Sequence, residues 1–226
     1  MAAAAGRRGL GGRLAVFAER QTRGRGRRGR PWHAPPGRAL LVSTLWRPTA
    51  AAVPGMVQVS AVAALAAMGR FGVEARVKWP NDLLLDRAKV GGILIEAAFI
   101  GERLEFMVAG IGLNVLQRAE ELPPTAYPAT SVHLATGRRL DRAELAAALL
   151  DELAAAGRLW LLDPAAVFAR WRAALETVGR RVAVDGPDGR LVGRALDVEP
   201  DGALLLERDD GRVERLFSGE LSARDP

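Results

Sequence analysis

The sequence contains no cysteine, which excludes disulfide bonds and cysteine-ligated zinc sites. It contains no run of about 18 uninterrupted apolar residues, so a membrane-spanning helix is not expected. The segment 1–12 is rich in Ala, Gly and Arg, and it lacks the continuous apolar stretch of a secretory signal. These absences predict a globular protein of the cytoplasm.

Lysine and asparagine are scarce, although the chain is rich in charge. The sequence has 32 basic residues and a formal net charge of +6, yet its only lysines are Lys78 and Lys89, and its only asparagines are Asn81 and Asn114. Arginine is a rigid planar fork, whereas lysine is a compact charge whose pKa shifts readily. Two lysines so close together hint at chemistry, with chance clustering as the alternative. The positive charge favours anionic partners without distinguishing nucleic acid, nucleotide and acidic protein.

The hydrophobic pattern predicts an α+β domain followed by a small β domain. Apolar runs predict strands at 14–18, 39–46, 73–79, 92–100, 103–109 and 111–115. Helices are predicted at 54–68, at 141–160 behind a capping box of Asp141 and Glu144, and from Asp163-Pro164 to near 177. Later turn signals at 185–189, 200–202 and 209–211 separate short runs of Val and Leu. We therefore predict a mixed or antiparallel sheet with helices in 1–176 and a small β-barrel in 177–226.

The segment Gly24–Gly29 matches the G-x-G-x-x-G pattern of dinucleotide-binding proteins. That fingerprint requires a helix to begin at the loop, and the prolines at 31, 35 and 36 exclude one here. What remains is a glycine loop with arginines at 20, 23, 25, 27, 28 and 30. Its glycines suit close approach of the backbone to an anion. The alternative is a solvated basic arm or a nucleic-acid patch.

Two further segments project polar groups from predicted strands. Lys78-Trp79-Pro80-Asn81-Asp82 ends one strand, because proline cannot continue a ladder and Asn-Asp favours a turn. Lys89-Val90-Gly91-Gly92 returns into the next strand, which makes 78–92 a hairpin-like unit. An ordinary β-turn with a solvent-exposed lysine is the alternative. Gly110-Ile111-Gly112-Leu113-Asn114 is a glycine-spaced strand that tight sheet packing explains equally well.

Taken together, these segments resemble the biotin–protein ligase family in their order and spacing. The resemblance rests on Gln21-Thr22, the run from Gly24 to Arg30, Trp32, the two lysine segments with Ile93, and the glycine-spaced strand. It extends to the end of the chain, whose last part resembles the family's SH3-like C-terminal domain. The implied fold is a catalytic domain like that of class II aminoacyl-tRNA synthetases, at 1–176, followed by the SH3-like domain.

The resemblance also implies an activity and a set of site residues. The family activates biotin with ATP, accompanied by Mg²⁺, and attaches it to a carrier-domain lysine of acetyl-CoA carboxylase or a related carboxylase. Catalytic roles would belong to Lys89, Arg25 and Arg27. Biotin would be bound by Gln21, Gly24, Arg25, Gly26, Arg27, Lys89 and Gly92. ATP would be bound by Arg27, Arg30, Trp32, Lys78, Asn81 and Asn114. The family assigns no metal ligand to this chain, and a monomer or a homodimer is expected.

Two departures from the family pattern concern the N-terminal part. Twenty residues precede Gln21, too few for the winged helix-turn-helix domain of many relatives, so we expect a monofunctional ligase that does not bind DNA. The family's Ser-Thr-Asn segment is not found upstream either, and we expect the biotin pocket to lack one wall; the segment 1–13 resembles a helix that follows it. Three alternatives stay open: a lipoate ligase or transferase, a nucleic-acid-binding protein that uses the arginine loop, and a ligase-like protein of weak activity.

Overall fold

Six antiparallel strands form the larger sheet of the computed structural model, which describes residues 2–7, 14–47, 49, 53–123, 127–186 and 189–221. The strands are β1 (Leu14–Phe17), β2 (Ala39–Trp46), β3 (Arg76–Lys78), β4 (Asp82–Leu85), β5 (Ala88–Ile100) and β6 (Arg103–Asn114). Their order across the sheet is β1-β2-β6-β5-β4-β3. The pairing is antiparallel throughout, which decides between the two sheet types that the sequence left open.

The strand boundaries correct the sequence prediction at two places. The strands predicted at 103–109 and 111–115 are one strand, β6, because Gly110 pairs with Ser43 of β2 on one side and Leu94 of β5 on the other. The strand predicted at 73–79 shortens to β3, and the separate strand β4 was not predicted. Short strands of this kind have too few residues to show an alternation.

Five helices accompany the sheet: α1 (Ala2–Arg7), α2 (Gly55–Gly69), α3 (Val132–Thr136), α4 (Arg142–Leu162) and α5 (Pro164–Ala174). Asp141 caps α4, since its side chain accepts hydrogen bonds from the N–H groups of Ala143 and Glu144. Asp163 caps α5 in the same way through the N–H of Ala166. The short helix α3, between Ser131 as its N-cap and Gly137 at its end, was not predicted.

The two faces of the sheet have different neighbours. Side chains alternate along a strand, so Leu40 and Val42 of β2 join the core under α2 and α4, while Leu41 and Ser43 face the other way. Near one end of that second face, Ala2 of α1 packs in a small apolar cluster with Leu45, Phe106 and Val108. The rest of this face lines a cavity.

A second sheet, formed by the last part of the chain, packs against the first. Its strands are β7 (Arg181–Gly186), β8 (Gly189–Val198), β9 (Leu204–Arg208), β10 (Val213–Leu216) and β11 (Glu220–Leu221), in the order β10-β9-β8-β7-β11. The junction is built on Trp79, which is fully buried. Its backbone N–H donates to Thr177 Oγ1 (3.0 Å) and its Nε1 to the carbonyl of Gly202 (2.9 Å). No described helix is long and apolar enough to span a membrane.

Candidate functional site

A cavity of about 960 Å³ lies on the sheet face opposite α2 and α4, between the sheet, the arginine loop and the C-terminal sheet. It brings together almost all the residues predicted from the sequence. These are Gln21, Arg25, Gly26, Arg27, Arg30, Trp32, Lys78, Asn81, Lys89, Gly92 and Asn114. Gly24 is the exception among the predicted residues, since it does not line the cavity. Ala2 and Ala3 of α1 also contribute to the wall.

The floor of the cavity is flat because glycines face each other on two central strands. Gly92 of β5 pairs with Gly112 of β6, and Gly112 pairs with Leu41 of β2. The indole of Trp32 lies on this floor: a Cβ atom at Gly112 would come within 2.8 Å of its ring, and one at Gly92 within 3.4 Å. The Trp32 Nε1 is buried and has no acceptor among the described residues. Glycine spacing along β6 therefore clears the space that the Trp32 indole occupies.

The arginine loop is folded back on itself by its own backbone. Gly26 N–H donates to the Arg30 carbonyl (2.7 Å), and Trp32 N–H donates to the Gly24 carbonyl (2.9 Å). Gly24 has no space for a side chain, because a Cβ there would lie 2.3 Å from the Trp32 carbonyl oxygen. Gly24 thus shapes the loop from behind instead of facing the cavity.

Side chains of the loop reach the central strands and the C-terminal sheet. Arg27 Nη1 donates to Asn81 Oδ1 (3.2 Å) and to the Gly219 carbonyl (3.3 Å). Arg28 Nη1 donates to the Asp185 carbonyl (3.0 Å), and Arg30 forms a two-pronged ion pair with the Glu220 carboxylate. Three successive cations of the loop are thereby held against the C-terminal sheet. Arg25 turns the other way and pairs with Glu96 of β5 at 3.0 Å.

Burial lowers the pKa of Arg27, although the residue stays protonated. Loss of solvent lowers the pKa of Arg27 below its ordinary value, and the neighbouring Arg28 lowers it further, while Asp82 and Glu220 oppose both effects. An arginine remains protonated at any physiological pH. Its guanidinium is therefore a fixed, poorly hydrated positive charge beside the cavity, which binds an anion more strongly than a solvated one would.

Both lysines project into the cavity and share one counter-ion. Lys78 Nζ lies 3.2 Å from Asp82 Oδ2, and Lys89 Nζ lies 2.6 Å from Asp82 Oδ1. The Lys78 ammonium also sits 3.9 Å from the centre of the Tyr127 ring. Burial lowers the pKa of Lys78, and the ion pair with Asp82 opposes that shift. Lys89 is the more exposed of the two, which suits contact with a ligand.

The two asparagines organise the walls of the cavity. Asn81 Nδ2 donates to the Ile93 carbonyl (2.7 Å) while its Oδ1 accepts from Arg27, so this amide fixes the arginine. Asn114 Nδ2 donates to the Thr130 carbonyl (3.0 Å), and its Oδ1 accepts from Gln117 Nε2 (2.8 Å). In this geometry Asn114 holds the segment after β6 in place behind the cavity.

The charges around the cavity favour an anionic ligand. Eight described basic residues line it, namely Arg20, Arg23, Arg25, Arg27, Arg28, Arg30, Lys78 and Lys89. Four acidic residues line it, namely Asp82, Glu96, Asp185 and Glu220. The excess of positive charge lies next to the apolar glycine floor, so the cavity can hold a ring system and an anion side by side.

Several residues of the site were not predicted. Asp82 was part of a quoted motif without a role, and strand alternation could have placed Leu41 and Ser43 on the cavity face. Asp185 and Glu220 carried no local signal, because they meet the arginine loop only through the packing of the second sheet.

Comparison with known families covers both parts of the chain. Residues 8–114 match the biotin/lipoate A/B protein ligase family, and residues 177–224 match the biotin protein ligase C terminal domain. Together with the fold and the basic cavity, these matches define a protein of the class that includes biotin and lipoate ligases.

Comparison with individual proteins shows which members of this class the chain is similar to. The chain is 35% identical over 216 residues to the biotin–[acetyl-CoA-carboxylase] ligase of Mycobacterium tuberculosis, with 92% of this chain and 78% of that protein covered. It is 36% identical over 214 residues to the bifunctional ligase/repressor BirA of Escherichia coli strain K12, where 93% of this chain spans 66% of the relative, just under two thirds. The structure of the biotin protein ligase from Aquifex aeolicus in complex with biotin and ATP matches with a TM-score of 0.75 and 27% identity, covering 92% of this chain and 87% of that chain.

The chain belongs to the biotin protein ligase family. The resemblance seen in the sequence motifs is thereby confirmed, as is the α+β fold with a small C-terminal β domain. The boundary between 176 and 177, and the ligand assigned to each cavity residue, stay predictions.

Proposed function

We propose that this chain activates biotin with ATP to form biotinyl-5′-AMP and then transfers the biotin to a lysine of a biotin carboxyl carrier domain. The observation that supports the proposal is a cavity in which the Trp32 indole, seated on a glycine floor, adjoins a basic region containing both lysines. The flat indole suits packing against an uncharged ring system. The basic region suits a carboxylate and a triphosphate, the two anions that this reaction must bring together.

The biotin half of the proposal uses the loop and the glycine floor. Gln21 would bond the ureido ring, and Gly92 would let the ring approach the sheet closely. Arg25, Arg27 and Lys89 would bind the biotin carboxylate, together with the backbone N–H groups of Arg25 and Arg27. The folded loop supports this assignment because its backbone bonds fix where those N–H groups lie.

The nucleotide half uses the side of the cavity next to the C-terminal sheet. Arg30, Lys78 and Asn81 would face the phosphates, while Trp32 would pack on the adenine and Asn114 would support the nucleotide pocket. Arg30 would exchange its partner, since it pairs with the Glu220 carboxylate. The Arg30 side chain is well exposed, and its planar guanidinium suits a phosphate as well as a carboxylate.

The chemistry accounts for the charges. In the first step a biotin carboxylate oxygen attacks the α-phosphorus, the bond to the bridging oxygen breaks and pyrophosphate leaves. Lys89, Arg25 and Arg27 would offset the repulsion between the two anions and the charge that develops at phosphorus. In the second step the neutral carrier lysine attacks the mixed anhydride and AMP leaves. A closed cavity protects this intermediate from water.

Magnesium is proposed to enter with ATP and to assist the departure of pyrophosphate. Mg²⁺ in nucleotide sites is usually held by substrate phosphates and one or two carboxylates. The proposed partner is the carrier domain of acetyl-CoA carboxylase or a related carboxylase, and the proposed location is the cytoplasm. Whether the protein is a monomer or a homodimer stays a prediction.

The proposal is tested by incubating the protein with biotin, Mg²⁺-ATP and a purified carrier domain. We expect biotin-dependent release of pyrophosphate and a carrier whose mass rises by one biotinyl group. A carrier in which the acceptor lysine is replaced by arginine should stay unmodified. Labelling with lipoate instead of biotin would indicate a lipoate ligase. Salt-sensitive binding of nucleic acid, without any pyrophosphate release, would support the nucleic-acid alternative.

A further inference from the structure

Asp82 lies between the only two lysines of the sequence, on three neighbouring strands. It pairs with Lys78 in the β3–β4 register and with Gly92 in the β4–β5 register, two positions along β4 from the pair of Leu84 and Lys89. One of its carboxylate oxygens lies 3.2 Å from Lys78 Nζ, and the other lies 2.6 Å from Lys89 Nζ. A single carboxylate thus bridges both ammonium groups.

The bridge is too deep to be an ordinary surface ion pair. The side chains of Lys78, Asp82 and Lys89 are 10%, 14% and 31% exposed, so water and salt screen their charges only weakly. The other groups that act on Lys78 are the Glu220 carboxylate of β11, which raises its pKa, and the Tyr127 ring. Asp82 is the strongest of the opposing influences on the pKa of Lys78.

We propose that Asp82 is a positioning residue for both lysines, which fixes the separation of their ammonium groups and serves as their shared counter-ion. The carboxylate and α-phosphate that the two ammonium groups would face come from the proposed function. The bridge itself rests only on the observed contacts.

The physical need for such a residue follows from charge and flexibility. Two ammonium groups held side by side in a poorly hydrated place repel each other, and one of them would lose its proton most readily. Lysine side chains are also flexible, and ordering them when the substrate arrives would weaken binding. One carboxylate for two ammonium groups solves both problems. The cluster still carries one net positive charge, so it continues to attract anions.

The scarcity of lysine permits a direct test, because ¹³C labelling at lysine Cε should give only two NMR signals. The Lys78→Arg variant assigns them. We expect the Lys78 signal of Asp82→Asn to titrate at lower pH than that of the unaltered protein, because the carboxylate that raises the pKa of Lys78 is gone. Asp209→Asn is the matched control, since it breaks an exposed pair with Arg181 outside the cavity and should leave both signals unchanged.

Pyrophosphate release gives a second measurement. Asp82→Asn should reduce the rate by on the order of 100-fold, as expected for misplaced reacting groups. As the pH is raised, the remaining activity should be lost at a lower pH than in the unaltered protein, because Lys78 loses its proton at a lower pH. Asp82→Glu restores the charge with a longer side chain. It should recover the pH profile and remain slow.

The outcomes separate the bridge from the proposed function. An unchanged Lys78 titration in a folded Asp82→Asn protein, or a full rate of pyrophosphate release from it, would overturn the proposal. If the unaltered protein releases no pyrophosphate while the titration shifts as expected, the bridge stands and the ligase function fails. Should Asp82→Asn not fold, Lys89→Gln tests the same cluster. The charge of Lys89 lowers the pKa of Lys78, so removal of Lys89 must raise the pKa of Lys78. An unchanged pKa of Lys78 in this variant would refute the bridge.

Discussion

Among single residues, Lys89 is the one on which the proposed chemistry depends most directly. Its ammonium is partly exposed to the cavity and has one ion-pair partner, Asp82. Lys89→Ala should lower the rate of pyrophosphate release by about 100- to 1,000-fold at saturating biotin and ATP, as removal of a group that stabilises developing charge does. The measurement is a coupled pyrophosphate assay.

The fold should survive this substitution. Lys89 borders the cavity and is not part of the hydrophobic core, and Lys78 remains to neutralise Asp82. Thermal melting should therefore change by no more than a few degrees. Arg181→Ala, which removes an exposed cation outside the cavity, should change neither the rate nor the melting temperature. A near-normal rate for Lys89→Ala would remove Lys89 from the catalytic assignment.

For a substitution at Arg27 we predict a different defect, namely weaker retention of the biotinyl-5′-AMP intermediate. Arg27 connects the loop to Asn81 and to Gly219 of the C-terminal sheet. Arg27→Gly loses hydrogen bonds to a charged group, and biotinyl-5′-AMP should escape at least about tenfold faster. Escape is followed by chasing a labelled complex with excess unlabelled biotin. Unchanged release would favour the interpretation of the loop as a solvated arm.

The residues that the sequence predicted well are those in dense local motifs. The loop from Gly24 to Arg30 and the segment from Lys78 to Asn81 carry their chemistry within a few positions, so a pattern could find them. The roles of Gly24 and Asn114 could not be seen in this way. Gly24 supports the loop from behind. The Nδ2 of Asn114 donates to the Thr130 carbonyl, and its Oδ1 accepts from Gln117.

On the scale of elements, the structure of the arginine loop predicts that alanine has different effects at two glycines that look equivalent in the sequence. A Cβ at Gly24 would lie 2.3 Å from a backbone oxygen, whereas a Cβ at Gly26 would meet nothing closer than 3.5 Å. Gly24→Ala should therefore open the loop and weaken binding of biotin and ATP by at least about tenfold, equivalent to the roughly 1–3 kcal/mol of a forced backbone shift. Gly26→Ala should bind within about threefold of the unaltered protein.

Calorimetric titration of both variants measures this difference. Neither glycine has a positive φ angle, so strain of the alanine backbone does not confuse the comparison. Equal affinities for the two variants would show that the close contact at Gly24 does not control the loop.

Element boundaries were predictable where an apolar run, a capping residue or a proline marks them locally. β1, β2, α2, α4 and α5 all fall within a few residues of their predicted positions. The single strand β6 was divided in the prediction because glycine usually weakens a strand. Here neighbours on both sides hold it, and the glycines instead clear space for Trp32. That reason depends on a residue about 80 positions away, which no local pattern contains.

On the scale of the whole molecule, Trp79 predicts that the two sheets do not fold independently. Its side chain is fully buried, and Gly202 and Gly219 of the C-terminal part lie against it. A chain ending at Glu176 would expose roughly 200 Å² of this indole, a loss of about 5 kcal/mol. Its melting temperature should fall by roughly 10–20 °C, if it folds at all.

Circular dichroism during heating measures this effect. Asp197→Asn is the control, because it removes only an exposed ion pair with Arg172 between the same two parts and should change the melting temperature by less than about 3 °C. An unchanged melting temperature for the shortened chain would mean that the predicted boundary at 176 separates two independent domains.

The long-range contacts of the site could not be predicted from the sequence. Glu220 meets Arg30 across 190 positions, and Arg27 meets Gly219 across 192. The composition of the last 50 residues predicted a small β domain, but composition does not tell which edge of that domain meets which loop. The packing around Trp79, together with contacts such as the Arg172–Asp197 ion pair, determines which edge meets the loop.

The scarcity of lysine affects how this chain would react with the acyl adenylate of the proposed reaction. An acyl adenylate that leaves the cavity reacts with neutral amines, and guanidinium groups stay protonated. Of the 32 basic residues, the two lysines are in the cavity beside Asp82, and the other 30 are arginines that do not react. A leaky Arg27→Gly protein should therefore biotinylate bystander proteins while remaining nearly free of lysine-linked biotin itself. Mass spectrometry of both partners after one incubation would show this low level of lysine labelling, and lysine-linked biotin on this chain should map to Lys78 or Lys89.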